Sequence, residues 1–244
     1  MGAPARTFVL IAGAWHGAWC WGRVVRLLEA AGHRVLTPEL PGTGGDTTDP
    51  ARVTLETWAR YVVDAVSAVN TPVLVGHSRA GIVISRAAEM APERIGMLVY
   101  LSAYLLTSGQ NMAAEARGDA ASLVPANMVP AASGVTCTLN PAIVREAFYG
   151  DCDEETRAFA DARLAPEPLK PLVSPVRVTD ARFGSVRRAY IECTRDRTVS
   201  LAAQRRMQAA LPCDPVITLE SDHSPFLSHP RELAAALEVL SGRL

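Results

Sequence analysis

The chain reads as an α/β fold, a mostly parallel sheet with helices on both faces and an inserted lid. Three observations predict it. Short β-branched apolar runs alternate with helix-period segments over residues 1–102 and again over 183–244. The runs are apolar throughout, as strands covered on both faces are. Between them, residues 103–182 lose that rhythm and are rich in Ala, Pro, Met and Asn. The expected division is a core of 1–102 and 183–244 carrying a lid of 103–182. A structureless linker of such length would be unusual in a compact chain.

Phe8-Val9-Leu10-Ile11 is the first strand, and it enters a glycine-punctuated loop, Ala12-Gly13-Ala14-Trp15-His16-Gly17-Ala18-Trp19. Val24, Leu27, Leu28 and Ala31 keep helical spacing up to the stop at Gly32. Arg34-Val35-Leu36-Thr37 is the second strand, followed by a turn-rich loop over 38–45. Thr54 caps a helix whose apolar face is Leu55, Trp58, Val62, Val66 and Val69. Val73-Leu74-Val75 and Met97-Leu98-Val99-Tyr100-Leu101 are the next strands. In the lid, helices are expected over 141–149 and 154–164, and Pro166, Pro168, Pro171 and Pro175 mark a connector. No clear buried strand is expected there. The core resumes with a strand at Arg188-Ala189-Tyr190-Ile191-Glu192-Cys193, a helix over 202–210, a strand at Val216-Ile217-Thr218-Leu219 and a closing helix opened by Pro230.

The chemistry centres on Gly76-His77-Ser78-Arg79-Ala80-Gly81, where an apolar strand meets an amphipathic helix. A serine at such a strand–turn–helix apex is lifted above the sheet with a helix N-terminus behind it. The usual pattern is G-x-S-x-G; here Ala80 stands fifth and the glycine comes at Gly81. Active groups of parallel sheets sit on loops at the carboxyl ends of the strands, where Asp196 and His223 also fall. Serine is a weak nucleophile until a base takes its proton. His223 is the candidate base and Asp196 the acid that orients it, with Asp222 the competitor. Asp222 is disfavoured because a residue next to the histidine folds back poorly on its own imidazole. His16, His33, His77 and His229 read as structural. The backbone N–H groups of Arg79 and Ala14 are the expected oxyanion donors. The Arg79 side chain needs a counter-charge, and Glu39 is the expected one.

Composition narrows the function. The 244 residues are 49% hydrophobic and 20% charged, with net charge −1. No charge run suggests a nucleic-acid or anionic-membrane partner. Five scattered cysteines without metal-ligand spacing fit reduced thiols in a cytoplasm. No metal or cofactor is expected. Met1-Gly2 could open an N-myristoylation signal, but Arg6 replaces its Ser or Thr.

The sequence resembles the plant methylesterase and hydroxynitrile lyase branch of the α/β-hydrolases, with its bacterial esterase relatives. The matching stretches are Phe8-Val9-Leu10-Ile11 with His16-Gly17-Ala18-Trp19, Leu28-Glu29-Ala30-Ala31-Gly32-His33-Arg34-Val35, Val75-Gly76-His77-Ser78, and Arg182-Phe183-Gly184-Ser185-Val186-Arg187-Arg188-Ala189-Tyr190-Ile191. The resemblance implies an α/β-hydrolase fold, the triad Ser78, Asp196 and His223, oxyanion amides at Ala14 and Arg79, and a homodimer. The lid is the least similar part. Ala12 stands where the family usually has a loop-bracing histidine. Ser224 and Gly13 stand where its lyases have Lys and Thr.

The expected function is hydrolysis of a small, mostly apolar carboxylic ester through an acyl-enzyme, a methyl ester or an aromatic carbamate being candidates. The alternatives are a carbon–carbon lyase of the hydroxynitrile type and a non-catalytic ligand-binding receptor. Fold alone decides none of them. Tyr104, Leu105, Met128, Phe148 and Tyr149 are the expected substrate-binding residues.

Overall fold

A computed structural model describes residues 5–244. Met1 and Gly2, with the lipidation question they raise, lie outside the described residues. Nine strands and ten α-helices follow one another in chain order among those residues. The strands are β1 (Thr7–Ile11), β2 (Arg34–Leu36), β3 (Val73–His77), β4 (Met97–Leu101), β5 (Met128–Pro130), β6 (Thr136–Leu139), β7 (Glu167–Pro168), β8 (Arg188–Cys193) and β9 (Val216–Leu219). The helices are α1 (Gly22–Ala30), α2 (Leu55–Ser67), α3 (Ala80–Met90), α4 (Met112–Arg117), α5 (Pro141–Phe148), α6 (Glu154–Asp161), α7 (Leu169–Val173), α8 (Leu201–Ala210), α9 (Pro225–Ser228) and α10 (Pro230–Ser241).

Six strands form one sheet in the order β2-β1-β3-β4-β8-β9, and each neighbouring pair is parallel. Side chains alternate across it. Phe8, Leu10, Val73, Val75 and Val99 pack with Val24 and Leu28 of α1 and Leu233 and Leu237 of α10. Val9, Ile11, Leu74, Leu98 and Tyr100 face Trp58 and Val62 of α2 and Ile82 and Val83 of α3. All of these side chains are buried. Burial on both faces is what removes the polar alternation from the strand sequences.

The stretch between β4 and β8 departs from expectation. It holds a second sheet, three antiparallel strands in the order β5-β6-β7. The Pro-rich connector contains β7 and the helical turn α7. These strands are short and carry Thr, Pro and Glu, so they lack the apolar run that marks a buried strand. The helices of this stretch begin where capping chemistry places them. Asn140 accepts from the Ala142 amide ahead of α5, and Asp153 from the Thr156 amide ahead of α6. No helix among the described residues is long and apolar enough to cross a membrane.

Candidate active site

The site lies at the carboxyl ends of β1, β3, β4, β8 and β9. β3 runs into Ser78, whose φ is +53°, a left-handed conformation that costs a non-glycine residue about 1–3 kcal/mol. Its neighbours hold it there. The Ser78 N–H donates to the Leu101 carbonyl at 3.1 Å, and its carbonyl accepts from Tyr104 N–H at 3.1 Å and Gly81 N–H at 3.0 Å. A Cβ at Gly81 would sit 2.4 Å from the Tyr104 carbonyl oxygen, and one at Gly76 would sit 2.9 Å from that of Ala80. The turn therefore demands glycine at 76 and 81 and accommodates the methyl of Ala80.

His223 Nδ1 lies 2.6 Å from Asp196 Oδ2. The carboxylate only accepts, so Nδ1 donates, and in the neutral ring Nε2 is the nitrogen with the lone pair. Asp196 is itself anchored. Its Oδ1 accepts from Thr198 N–H at 2.6 Å and Val199 N–H at 2.8 Å, and its Oδ2 also accepts from the Ser102 hydroxyl. Asp222 is engaged elsewhere, accepting from Ser224 N–H, the Ser228 hydroxyl and Asp151 N–H. Burial raises its pKa above the ordinary carboxylate value. The elbow and the histidine loop are tied through His77, whose Nε2–H donates to the His223 carbonyl at 2.9 Å. Burial holds His77 neutral, well below its ordinary pKa. Ser78 and His223 are 4% and 1% exposed, so the two groups sit in a nearly dry site.

The first loop crosses this floor. Gly13 packs on the elbow so closely that a Cβ would meet His77 Nδ1 at 2.6 Å and Ser78 Cβ at 3.0 Å. Ala14 follows, with its carbonyl 2.8 Å from His16 Nδ1, which must therefore donate. His16 Nε2 accepts the Tyr149 hydroxyl at 2.8 Å. This buried imidazole stays neutral, its pKa lowered to about 3 by desolvation. Trp15 has φ +62° and is gripped by the stretch between β4 and β8. Its amide donates to Glu167 Oε2 at 3.0 Å, its indole N–H to the Cys137 carbonyl at 3.1 Å, and its carbonyl accepts from Ala165 N–H at 3.0 Å. The loop is thus braced by Cys137, Ala165 and Glu167, whatever Ala12 fails to supply.

The partner of Arg79 is a correction to the sequence reading. Glu39 accepts instead from the Ala18 amide at 3.0 Å, in a niche closed by Gly17 and Gly44. The guanidinium pairs with Glu167, Nε to Oε1 at 2.9 Å, and both side chains are fully buried. Its Nη2–H donates to the Gly13 carbonyl at 3.0 Å, and its Cζ lies 4.3 Å from the centre of the Trp58 ring. Burial lowers the Arg79 pKa and raises that of Glu167, while each charge offsets the shift of the other.

The expected pocket residues divide. Phe148 stacks on His223 at 5.6 Å between ring centres and also touches His16 and Trp15. Tyr149 reaches the site through His16. Tyr104 and Leu105 are buried in the core on the α2–α3 side, and half-buried Met128 packs against the cores on both sides of the sheet. A cavity of about 280 Å³ opens beside Trp15, lined by Leu139, Val144, Asp161 and Leu164 among others, and none of the five lines it. Ser102 and Glu167 were not anticipated. Ser102 had a positional signal, directly after β4 at the functional edge of the sheet; Glu167 had none.

Residues 8–236 match the alpha/beta hydrolase family. Esterase PIR7B of Oryza sativa subsp. japonica is 30% identical over 94% of this chain and 93% of its own. Salicylic acid-binding protein 2 of Nicotiana tabacum is 31% identical over 94% and 95%. Two chloroplastic Arabidopsis thaliana proteins with methylesterase in their names match 98% of this chain, which spans only 57% of their length. A pyrethroid hydrolase from Sphingobium faniae superposes with a TM-score of 0.83 and 29% identity, covering 98% of both chains. The chain belongs to the alpha/beta hydrolase family, in the branch that contains these plant proteins and the pyrethroid hydrolase.

Proposed function

We propose that the protein is a serine hydrolase that cleaves a small, mostly apolar carboxylic ester through an acyl-enzyme. The observation that carries this reading is the 2.6 Å contact of His223 with Asp196, set at the same edge of the sheet as a serine held in a left-handed elbow. In the reaction, Ser78 Oγ attacks the ester carbonyl and His223 Nε2 takes its proton. Asp196 holds the tautomer and stabilises the imidazolium. The tetrahedral oxyanion accepts from the N–H groups of Ala14 and Arg79. Collapse breaks the bond to the alcohol oxygen, and the imidazolium returns a proton to it. Water, deprotonated by the same imidazole, then releases the acid and restores Ser78.

Relatives named as esterases, methylesterases and a pyrethroid hydrolase support ester chemistry and suggest an apolar acid or alcohol portion. Phe148 over the imidazole supplies an apolar wall of the kind that binds small ligands. The test is a panel of chromogenic esters graded in acyl and alcohol size, a methyl ester and an aryl carbamate included, run with wild type and Ser78→Ala. Turnover with an initial burst, lost by about 10⁴-fold or more in the variant, is expected because triad members act as a unit. Equal turnover by the variant refutes the assignment. Saturable binding of panel members without turnover would mark a receptor.

A further inference from the structure

We propose that Arg79 and Glu167 form a positioning clamp through which the seated lid orients the Ala14 amide for oxyanion binding. The inference rests on the esterase reading and adds a role for the lid beyond walling the pocket. The reasoning is one of peptide planes. The carbonyl of Gly13 and the N–H of Ala14 belong to one planar trans unit and point in opposite directions. Arg79 Nη2 holds that carbonyl at 3.0 Å, so it sets the direction of the Ala14 N–H. The next unit joins the Ala14 carbonyl to the Trp15 N–H. His16 holds its oxygen and Glu167 Oε2 its nitrogen. Both units flanking Ala14 are thus tied by charged or buried groups, and a left-handed Trp15 closes the turn.

The clamp is one ion pair. Glu167 Oε1 meets Arg79 Nε while Oε2 grips the loop, and neither side chain touches solvent. Hydrogen bonds to ionised groups are the stronger ones, and a dry site strengthens them further. Arg79 acts twice. Its backbone N–H is one oxyanion donor, and its side chain aims the other. Glu167 stands on β7, opposite Cys137 of β6, whose carbonyl takes the Trp15 indole N–H. The register of the lid sheet therefore delivers the carboxylate and the indole acceptor together.

Two variants separate positioning from bulk structure. Glu167→Gln leaves Arg79 buried without its counter-charge. Arg79→Met combined with Glu167→Met removes both charges, so no buried ion is left uncompensated. The readouts are kcat, KM, the thermal midpoint, and inhibition by a trifluoromethyl ketone that adds Ser78 to form an oxyanion, with the matching methyl ketone as ground-state control. A misaimed oxyanion donor should cost less than an absent one, about 10- to 100-fold in kcat. Trifluoromethyl ketone affinity should weaken in step, while KM and methyl ketone affinity move less than about threefold by the same logic of transition-state binding. The double variant should regain part of the thermal midpoint lost in Glu167→Gln but none of the kcat, since the Gly13 carbonyl and Trp15 N–H stay unpaired in it. Recovery of both would reduce the pair to charge balance and overturn the clamp, as would a rise in KM alone. If Glu167→Gln fails to fold, the double variant decides. If wild type cleaves no ester, the rate of Ser78 phosphonylation by a fluorophosphonate replaces kcat; Ser78 Oγ displaces fluoride and its proton leaves through His223. A slower rate in the double variant then upholds the clamp while the ester reading fails. An unchanged rate overturns the clamp, and an unlabelled wild-type Ser78 overturns both.

Discussion

Replacing Asp196 by Asn isolates the control of histidine tautomer. One face of the carboxylate meets the N–H groups of Thr198 and Val199 at 2.6 and 2.8 Å. An amide nitrogen placed there would set donor against donor, so the Asn oxygen stays on that side. Its NH₂ then faces Ser102 and His223 Nδ1. The Ser102 hydroxyl can turn and accept. His223 Nδ1 must also accept, which moves its proton to Nε2 and removes the lone pair that the proposed mechanism uses as base. The geometry survives and the chemistry does not. Triads with this change lose about 10⁴ in kcat, equivalent to about 5.4 kcal/mol of barrier. Asp222→Asn is the matched control. It disturbs bonds to Ser224, Ser228 and Asp151, worth about 1–3 kcal/mol of stability, without touching the tautomer. Steady-state kcat/KM on one chromogenic ester and thermal midpoints for both variants complete the assay. A greater activity loss in Asp222→Asn, or more than a tenth of wild-type activity in Asp196→Asn, refutes the reasoning.

Gly81→Ala drives a methyl to 2.4 Å from a backbone oxygen that the elbow holds in place. A cost of about 2–3 kcal/mol, or roughly 5–10 °C in thermal midpoint for this chain length, is expected, while Ala80→Gly should cost about 1 kcal/mol; equal midpoints would show that the turn yields. His16 is lowered to about 3 in the native state from an ordinary 6.5, so the unfolded chain takes the proton first and stability is lost as pH falls from about 6.5 toward 3, by up to about 1.4 kcal/mol per unit. Urea unfolding at pH 7 and pH 5 should show about 2 kcal/mol more acid loss in wild type than in His16→Gln by the same linkage, and parallel behaviour would contradict it. Cyanide release from mandelonitrile should stay at background, because Ser224 carries no charge where the lyases have Lys, Gly13 no hydroxyl where they have Thr, and the Arg79 guanidinium is bound to Glu167; release without ester cleavage would favour the lyase alternative.

The six strands of the main sheet were legible because burial on both faces leaves a continuous apolar run between turn residues, as in Met97-Leu98-Val99-Tyr100-Leu101. Helix starts were legible from local chemistry, with Thr54 and Pro230 as examples. Ser78, Asp196 and His223 could be nominated because strand ends concentrate function. The lid sheet was not legible. Its strands owe their existence to pairing with each other, and residues such as Thr136 and Pro130 carry no pattern of their own. Glu39 was misassigned for a related reason. It lay in the expected strand-end loop, but only the folded chain shows that Ala18 N–H claims its carboxylate first. The acid that meets Arg79 comes from a proline-rich segment 88 positions later in the numbering, and no local rule ties the two.

The buried pair also limits how this scaffold can be re-engineered. A lid is an attractive cassette for changing substrate range, since it is an insertion between two strands of the sheet. Here the cassette carries the anion that neutralises a charge planted in the core beside the serine. A transplanted lid lacking a carboxylate at the position of Glu167 would strand Arg79 in an apolar interior, a defect that typically costs about 3–5 kcal/mol. Chimeras should therefore exchange residue 79 together with the lid, treating the two as a single heritable unit even though they lie far apart in the chain.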